Sequence, residues 1–553
     1  MSPVSDGTVS ARVAATLDPL ATDVFGVMGN GNAWFLDAVV TSTSMTYTAV
    51  RHEAAAVAAA DAYFRTSGRL AVATTTYGPG FTNALTALTE AAQARIPLVL
   101  VTGAPPADAR AWDVDQRALT AAAGAHYLEV LADDPATFTE HAVALATGDR
   151  RPVVLAIPYD IAASPAPTSP GAASEGLAFA LEPVAGEDVA AAALRLASAE
   201  RPLLLAGRGA WLSGAQDAAA ALADELGALT TTSALALGFF DGDGALGISG
   251  GFATEVTARL VSEADVVLVL GAGLNPFTTR FGEAFAAGAH VIQVDLTEGP
   301  TNPRVDAFLR GDARAVVAAL HAALPATRAA AWSRPSPGEI ARRPDGDALA
   351  PDGRLDPRSA LRRIDALLPA DRVVVQDGGH FIGWGPTYLT IPSPDRLVMV
   401  GTAFQTIGLG LPSAVGAGRA RPGSTIVLCS GDGGALMGLA DLESVVRTVR
   451  HGVVLLFNDA AYGAEVHQYG VRGIDERPML IPEVDFAGLA SALGATSAVI
   501  RRLDDLVELE TWLASGAEGV FLADLRVSRE VVAPYMLEVV AAATKTSQPP
   551  ADS

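Results

Sequence analysis

The sequence predicts an α/β protein made of three doubly wound domains, each built on a parallel β-sheet. Short, continuous apolar runs recur along the 553 residues, and Ala-rich amphipathic segments separate them. Strands that are apolar at every position are typical of parallel sheets covered on both faces, and the amphipathic segments have the periodicity of crossover helices. The length exceeds what one hydrophobic core serves, which favours several domains.

The domain boundaries are expected where these runs stop. Residues 161–175 are rich in Pro, Ser and Ala, and residues 325–357 are rich in Pro, Asp and Arg. Such composition without apolar periodicity indicates linkers, so we place the domains at 1–165, 180–325 and 355–540. The clearest strands are predicted at 70–75, 98–103, 153–158, 266–271, 291–295, 373–378, 425–433 and 453–459.

Composition excludes several classes of protein. The chain has 61 Asp and Glu against 38 Lys and Arg, a formal charge of -23, and no basic block, so nucleic acid and anionic membranes are poor partners. It shows neither a secretory signal pattern nor an apolar run of the ~18 residues that span a membrane, and we expect a cytoplasmic protein. The single cysteine, Cys429, excludes an intrachain disulfide and is interpreted as a buried core thiol.

One predicted strand–helix–strand unit, CSGDGGALMGLADLESVVRTVRHGVVLLFND, has a carboxylate at the end of each strand. The carboxyl ends of neighbouring parallel strands share one edge of a sheet, so Asp432 and Asp459 should converge. Mg²⁺ prefers oxygen ligands and often shares them with phosphate, and the N–H groups of Gly433, Gly434 and Ala435 can bind an anion at a helix start. Each Asp alone would be an ordinary cap or turn residue, but the pair predicts a metal-held diphosphate.

This unit resembles the metal and diphosphate motif of thiamine diphosphate (ThDP) enzymes, specifically the superfamily of acetolactate synthase, pyruvate oxidase and pyruvate decarboxylase. The motif of that superfamily runs from Gly-Asp-Gly to Asn-Asn, and this chain has Asp459 at the second Asn. The resemblance implies side-chain ligands to Mg²⁺ from Asp432 and Asp459 and a backbone carbonyl ligand from Ala461. It also implies cofactor contacts from Gly431, Gly433, Gly434, Ala435, Tyr462, Gly463 and Ala464.

The first domain carries a second part of the resemblance, RHE at 51–53 followed by GPG at 78–80. In the pyrimidine-binding domain of the superfamily, a Glu in this context bonds N1′ of the cofactor and assists removal of its C2 proton. The resemblance implies this proton-transfer role for Glu53 and cofactor contacts for Pro79 and Asn83. By itself, a Glu at the start of a helix is most often a residue favoured by the helix dipole.

The last domain carries a third part, GTAFQTIGLGLPSAVGA at 401–417. The resemblance makes Ile407 the apolar wedge that bends the cofactor, and it makes the Gln405 carbonyl an acceptor for the aminopyrimidine. The preceding QDGGHFIGW places Gly379 and His380 near the diphosphate. The motifs imply pyrimidine-binding, central and diphosphate-binding domains in that order, and a homodimer or homotetramer with active sites at the subunit interface.

The central domain has Gly-rich turns, in LLLAGRGAWLSGA and LVLGAGLNPF, that raise the question of a dinucleotide site. Their spacing does not fit G-x-G-x-x-G, and such turns are routine in α/β domains, so FAD is not expected. An NAD(P)-binding oxidoreductase would depend on these turns alone.

The substrate residues of acetolactate synthases are only partly retained. Phe277 stands where their acceptor-binding Arg is expected, and Ala464 and Gln468 replace a Met and a Trp of the acceptor pocket. Asp115-Gln116 keeps only the Gln of a Phe-Gln pair. The loss of the Arg makes an aldehyde or ketone acceptor a hypothesis.

Pyruvate decarboxylases share the Ile wedge, but their catalytic residues are missing as well. Asn30, in GNGN, replaces the catalytic Asp of their GDFN loop, and no two histidines are adjacent in the sequence. A simple decarboxylase would therefore need another proton donor. The candidates are His467, His380, Asp115 and Tyr77.

We predict a non-oxidative, ThDP- and Mg²⁺-dependent carboligase or lyase similar to acetolactate synthase. It decarboxylates a 2-oxo acid and ligates the enamine to a carbonyl acceptor, and its catalytic residues are Glu53, Asn30, Gln116 and His467. A simple 2-oxo acid decarboxylase that releases an aldehyde is the alternative. A ThDP-binding protein without turnover is a third reading, against which the retention of Glu53 argues.

Overall fold

The computed structural model contains three six-stranded sheets, and all strand pairs in them are parallel. It describes residues 7–108, 110–167, 184–325, 332, 335 and 343–546. The predicted fold class is confirmed, and each sheet lies within one of the three ranges proposed for the domains. Much of both predicted linkers, residues 168–175 and most of 326–342, lies outside the described residues.

The first sheet has the strand order β2-β1-β3-β4-β6-β5. The chain therefore changes direction across the sheet between β1 and β3, and in open parallel sheets such a switch point opens a crevice at the carboxyl ends. Its strands are β1 Asp23–Gly26, β2 Thr46–Ala49, β3 Ala71–Thr75, β4 Leu98–Ala104, β5 His126–Glu129 and β6 Val153–Pro158. Its helices are α1 Val9–Leu17, α2 Ala33–Ser42, α3 Glu53–Ser67, α4 Pro79–Gln93, α5 Gln116–Ala122 and α6 Pro135–Asp149.

The second sheet has the order β12-β11-β10-β7-β8-β9, with its switch point between β7 and β10. Its strands are β7 Pro202–Ala206, β8 Leu229–Thr232, β9 Ala245–Ile248, β10 Val266–Leu270, β11 His290–Asp295 and β12 Ala307–Arg310. Its helices are α7 Gly186–Ala197, α8 Arg208–Leu212, α9 Gln216–Leu226, α10 Glu255–Glu263 and α11 Ala313–Ala323.

The third sheet, β14-β13-β15-β16-β18-β17, repeats the order of the first, with its switch point between β13 and β15. Its strands are β13 Arg372–Gln376, β14 Leu397–Val398, β15 Thr425–Gly431, β16 His451–Phe457, β17 Thr496–Ile500 and β18 Gly519–Leu525. Its helices are α12 Pro357–Leu367, α13 Trp384–Tyr388, α14 Gly410–Ala420, α15 Asp432–Met437, α16 Leu442–Thr448, α17 Gly463–Tyr469, α18 Phe486–Ala492, α19 Val507–Ala514 and α20 Pro534–Thr546.

The eight strands predicted from apolar runs are all present, and their ends lie within two residues of the prediction. Their side chains are almost entirely buried, as expected for strands covered on both faces. Cys429 lies in β15, and burial raises the pKa of its thiol to about 12, which agrees with a core residue. Among the helices that the structure describes, none has the length and hydropathy of a membrane-spanning segment.

The first and third domains dock through α3 and α14, which belong to one shared hydrophobic core. A methyl group added to Gly416 would lie 1.9 Å from the carbonyl oxygen of Ala59, so the two helix backbones touch. Ion pairs surround this contact: Arg51 bonds Glu443, and Arg419 bonds Asp23. The alanines of α3 thus serve a close helix crossing between domains.

Candidate active site

Two acidic residues converge at the carboxyl edge of the third sheet, as the sequence predicted. Strands β15 and β16 are neighbours, with Gly431 opposite Phe457, so Asp432 and Asp459 follow their ends side by side. The Asp432 carboxylate accepts hydrogen bonds of 2.8 Å from the N–H groups of both Gly433 and Ala460. Asp459 accepts one of 3.3 Å from Ala461, and both carboxylates are buried.

The electrostatics of this pair favour a cation. Burial raises the pKa of Asp432 to about 6. Burial and the charge of Asp432 raise the pKa of Asp459 to about 8. The second oxygen of Asp459, Oδ2, is buried and has no hydrogen-bond partner among the described residues. Two buried carboxylates of like charge are destabilising unless a positive ion neutralises them, and their oxygens suit Mg²⁺.

The loop after β16 brings a backbone carbonyl to the same place. Ala460 has a φ of 59°, which is rare for a residue with a Cβ, and Ala461 pairs with Leu480 in an isolated bridge. Within the described ranges, no residue donates a hydrogen bond to the Ala461 carbonyl. No group of three His, Cys, Asp or Glu side chains that could hold a metal is found there either, so a metal ion needs further oxygens from the backbone and a ligand.

The Gly-rich turn differs in detail from the prediction. The N–H of Gly433 is bonded to Asp432 and is not free for an anion, because the carboxylate folds back onto the turn. Gly433, Gly434 and Ala435 are buried, and Tyr462 packs against Gly433. The helix predicted between the strands is divided into α15 and α16 near Gly438. A side chain at these glycines would collide with Tyr462 and Asp377, which explains the residue type.

Asp377 is a site residue that sequence reasoning missed. It follows β13 at the switch point, and its Oδ1 accepts from the N–H groups of Gly378 at 2.8 Å and Gly408 at 3.1 Å. Its Oδ2 accepts from the Ser430 hydroxyl at 2.9 Å. Burial raises the pKa of this carboxyl group. Its signal in the sequence was an Asp directly after an apolar strand, the pattern that identified Asp432 and Asp459.

Two histidines that are distant in sequence lie side by side near the Asp432–Asp459 pair. The rings of His380 and His467 are 4.7 Å apart, and His380 Nε2 accepts a hydrogen bond of 3.0 Å from the Ala533 N–H. The other nitrogens, Nδ1 of His380 and Nε2 of His467, are buried without a partner in the described part of the chain. Burial lowers the pKa of His380 to about 3 and also lowers that of His467, so both rings are neutral at pH 7.

Gly463 leaves room between these groups. A Cβ at this position would lie 2.9 Å from Asp459 Oδ2 and 3.4 Å from His380 Nδ1. The two unpartnered atoms therefore face one small space, to which a polar ligand would be complementary. Ala464 and Gln468 follow on α17, the helix that Gly463 begins.

The segment 401–408, which we call the wedge loop, lies against Gly378 and Gly379. Ile407 Cγ2 is 3.0 Å from a Cβ built on Gly378 and 3.8 Å from one on Gly379. Gln405 has a φ of 63°, a conformation that costs a non-Gly residue ~1–3 kcal/mol and is concentrated at functional sites. The structure thus brings Gly379, His380, Gln405 and Ile407 to the edge that carries the two aspartates.

The first domain presents its own residues at the carboxyl edge of its sheet. Glu53 begins α3 and accepts a hydrogen bond of 3.0 Å from the amide of Asn83 on α4. A Cβ on Gly80 would lie 3.3 Å from Glu53 Oε1, and Pro79 is the first residue of α4. The Asn83 amide orients the Glu53 side chain, and the missing Cβ at Gly80 leaves room for its Oε1.

The remaining candidates of the first domain make separate hydrogen bonds near the same edge. Asn30 donates a hydrogen bond of 2.8 Å to the Tyr77 hydroxyl, which also accepts one of 3.3 Å from Arg110. The Gln116 amide donates to the Gly103 carbonyl at 3.1 Å, and its oxygen has no partner in the described ranges. Asp115 accepts from the Ala118 N–H at 2.9 Å, so this carboxylate caps α5.

The central domain closes one side of the third-domain site with aromatic residues. Phe277 packs on Phe252 and Tyr535 with ring centroids 4.6 and 6.1 Å apart. Arg280, three residues beyond Phe277, forms an ion pair of 3.3 Å with Glu538. The Tyr535 hydroxyl donates to the Gly379 carbonyl at 3.1 Å and also to the His380 carbonyl.

The glycines of the central domain have a packing role. A Cβ on Gly207 would lie 2.3 Å from the Gly271 carbonyl oxygen, and one on Gly271 would lie 2.5 Å from the Ala210 nitrogen. The turns after β7 and β10 therefore cross backbone to backbone at the switch point. This crossing accounts for the Gly-rich pattern without a dinucleotide.

The fold and the site define the class as an α/β enzyme of three domains. Its first and third domains share one strand order and carry the candidate cofactor residues, and a central domain lies between them in the chain. Three family models match it in this order. They are the N-terminal TPP binding domain of thiamine pyrophosphate enzymes at residues 7–130, the central domain at 189–320, and the C-terminal TPP binding domain at 377–522. The chain belongs to the thiamine pyrophosphate (ThDP) enzyme family, in the superfamily of acetolactate synthase and pyruvate decarboxylase.

Curated relatives divide between two activities. The chain is 33% identical to a probable 2-ketoarginine decarboxylase of Pseudomonas aeruginosa over 86% of both chains. It is 30% identical to the large subunit of acetolactate synthase isozyme 2 of Escherichia coli K12, over 90% of this chain and 91% of that one. These relatives support a ThDP-dependent enzyme acting on a 2-oxo acid and leave carboligation and decarboxylation unresolved.

Solved structures share the fold. A benzoylformate decarboxylase from Polynucleobacter necessarius superposes with a TM-score of 0.81 at 20% identity, covering 95% of this chain and 99% of that one. The ThDP-dependent 4-hydroxybenzoylformate decarboxylase of Rhodococcus jostii RHA1 gives 0.78 at 22% identity, covering 94% and 99%. At this level of identity the likeness establishes the architecture of the three domains.

Proposed function

We propose that this protein is a ThDP- and Mg²⁺-dependent carboligase that decarboxylates a 2-oxo acid and joins the remaining fragment to a carbonyl acceptor. The main support is the pair Asp432 and Asp459, which is buried, shares one sheet edge and leaves Asp459 Oδ2 without a partner. Such a pair fits a divalent cation that carries a diphosphate. Asp432, Asp459 and the Ala461 carbonyl would hold the Mg²⁺.

The proposed cofactor contacts lie on two edges. On the third domain they are Gly379, His380, Gln405, Ile407, Gly431, Gly433, Gly434, Ala435, Tyr462, Gly463 and Ala464. On the first domain they are Glu53, Pro79 and Asn83. When bound, ThDP supplies the carbanion chemistry that allows a 2-oxo acid to lose CO₂. Glu53 is proposed to hold the proton that prepares the cofactor, a role worth ~10²–10⁴-fold in rate.

The surroundings of the acceptor favour a neutral carbonyl compound. Phe277 is uncharged and packs in an aromatic cluster, so it cannot bind an acceptor carboxylate as an Arg would. Arg280 is already paired with Glu538 and is not a free cation. Asn30 and Gln116 provide polar groups at the first-domain edge. An aldehyde or a ketone is therefore the proposed acceptor.

Simple decarboxylation is the second candidate function, and the pair His380 and His467 favours it. No adjacent histidines exist in the sequence, yet these two rings lie 4.7 Å apart, each with a nitrogen that lacks a partner in the described ranges. Such a pair can relay a proton to the fragment left after CO₂ loss. The similarity to a probable 2-ketoarginine decarboxylase supports the same candidate.

The proposed assembly is a cytoplasmic homodimer or homotetramer. In the single chain the edge with Asn30, Pro79 and Asn83 is exposed. Large apolar side chains are exposed as well, among them Met28 at 64%, Trp112 at 67% and Val471 at 68%. We propose that a second copy covers these side chains and completes the site. FAD, nucleic acid and membranes are not proposed as partners.

The test is turnover of a panel of 2-oxo acids by purified protein with ThDP and Mg²⁺, with and without aldehydes, and identification of products by mass spectrometry. Ligated products support the carboligase. Release of CO₂ and an aldehyde without ligation moves the assignment to the decarboxylase. Binding of ThDP without any turnover of a broad panel would instead favour a cofactor-binding protein without catalysis.

A further inference from the structure

The wedge loop is contacted by a buried carboxylate from another domain. Glu90, on α4 of the first domain, accepts a hydrogen bond of 2.6 Å from the Phe404 N–H of the third domain. The Gly401 N–H interacts with the same carboxylate. Glu90 is fully buried, so these bonds form in a low-dielectric environment where a charged acceptor is strong.

Glu90 is itself held in place by an ion cluster. Its Oε1 lies 3.2 Å from Arg65 Nη2, and Arg65 also bonds Asp61 at 2.5 and 3.2 Å. Arg65 and Asp61 are buried with it. Arg208, of the central domain, comes to the same region and donates to the Ala94 carbonyl. The Glu90 carboxylate is therefore fixed by packing and charge.

The wedge loop has a conformation that needs such support. Gln405, with its φ of 63°, and Gly401, with a φ of 103°, both lie in the left-handed region. The loop closes on itself through a bond of 3.0 Å from the Thr406 N–H to the Gly401 carbonyl. Asp377 accepts a hydrogen bond from the Gly408 N–H at the far end of the loop, and Glu90 accepts one from the Phe404 N–H at its middle. Without both carboxylates, backbone N–H groups in this strained loop would lose their acceptors.

We propose that Glu90 is a positioning residue that holds the wedge loop in the conformation in which Gln405 and Ile407 receive the cofactor. This rests on the proposed function, which assigns those two residues to the cofactor. It goes further by making the docking of the first and third domains of one chain a condition for a formed cofactor site.

The test compares three variants of the full-length protein. E90Q turns the charged acceptor into a neutral one, and E90D keeps the charge but withdraws it by one methylene. D61N is the matched control, because it removes a charge from the same Arg65 cluster without touching the loop. Hydrogen exchange of peptides covering 399–409 is measured in cofactor-free protein, and the Kd for ThDP with Mg²⁺ is measured by titration.

We expect the Glu90 variants to speed exchange in 399–409 about tenfold and to raise the Kd by a similar factor, the effect of losing a charge-assisted hydrogen bond. D61N should lower the melting temperature but leave both readouts within about twofold. Exchange and Kd that follow the melting temperature equally in all three variants would overturn the proposal. So would unchanged exchange in E90D. If wild type binds no ThDP, the proposed function fails, while the exchange data still test Glu90.

Discussion

At the scale of single residues, Asp459 shows strongly altered acid–base chemistry. A carboxylate in water has a pKa of ~3.9, and burial beside Asp432 raises that of Asp459 to about 8. The metal-free protein therefore keeps a proton on this group that the unfolded chain releases. Between pH ~4 and 8 this difference lowers stability as pH rises, and a divalent cation would remove the penalty.

The first prediction concerns Asp459→Asn. The amide keeps an oxygen for the metal, so Mg²⁺ binding and activity should persist. In EDTA-treated protein at pH 8.5 the variant should melt about 5 °C above wild type, because only wild type loses stability when the buried Asp459 carboxyl group ionises. At pH 4 the two melting temperatures should be equal. Thermal melts across pH measure this. Loss of both metal and activity would show that the second negative charge is required.

The second prediction concerns Glu53→Gln. Glu53 is only partly buried and accepts a hydrogen bond from the Asn83 amide, so the neutral isostere should fold normally. Turnover should fall by at least ~100-fold because the proton-transfer group is lost. Steady-state kinetics and a thermal melt check both parts. Turnover equal to wild type would contradict the assigned role.

At the scale of secondary-structure elements, strand ends position the three buried aspartates of the third domain. Asp377, Asp432 and Asp459 follow β13, β15 and β16, three neighbouring strands of one sheet. The sequence predicted the second and third of these together, because one helix-linked unit contains both. The hydrogen bonds of Asp377 were not predictable, because they join β13 to the wedge loop and to Ser430, segments far apart in the chain.

The third prediction concerns the helix crossing of α3 and α14. Gly416→Ala places a methyl group 1.9 Å from the Ala59 carbonyl, and neither backbone can move without separating the domains. We expect the melting temperature to fall by more than about 5 °C and the affinity for ThDP to weaken. Gly423→Ala, with nothing within 4 Å of the added carbon, is the matched control and should change neither. A normal melt for Gly416→Ala would mean that the helices cross less closely.

At the scale of the whole molecule, the first and third sheets share one strand order and present polar residues at their switch points. The central domain contributes Phe277 next to the third-domain site and Arg208 next to the Glu90 cluster. Ligands at such crevices stabilise the folded state by mass action. The cofactor should therefore act on the stability of the whole chain.

The fourth prediction concerns cofactor and metal removal. ThDP with Mg²⁺ at 100 times its Kd should stabilise the protein by ~2.7 kcal/mol and raise the melting temperature by several degrees. ThDP with EDTA, or Mg²⁺ with thiamine that lacks the diphosphate, should give a much smaller shift, because Asp432 and Asp459 hold the diphosphate only through the ion. Differential scanning fluorimetry compares these three conditions with the protein alone. An equal shift with EDTA would argue against the metal.

The sequence by itself determined the eight strands, the convergence of Asp432 and Asp459, and the family. Each of these depends on patterns within a few dozen residues: continuous apolar runs, a Gly-Asp-Gly turn, and two strands joined by one crossover. Parallel pairing then places both carboxylates at the same edge, whatever the rest of the chain does.

Only the tertiary structure decided which distant residues share an environment. In it, Glu90 accepts a hydrogen bond from Phe404, 314 positions away in the sequence. His380 lies beside His467, and Asp377 bonds the wedge loop. The tertiary structure also showed that Gly433 bonds its own neighbour and that Arg280 is paired with Glu538. These contacts depend on how whole domains pack, and apolar periodicity specifies which face of an element is buried but not which partner covers it.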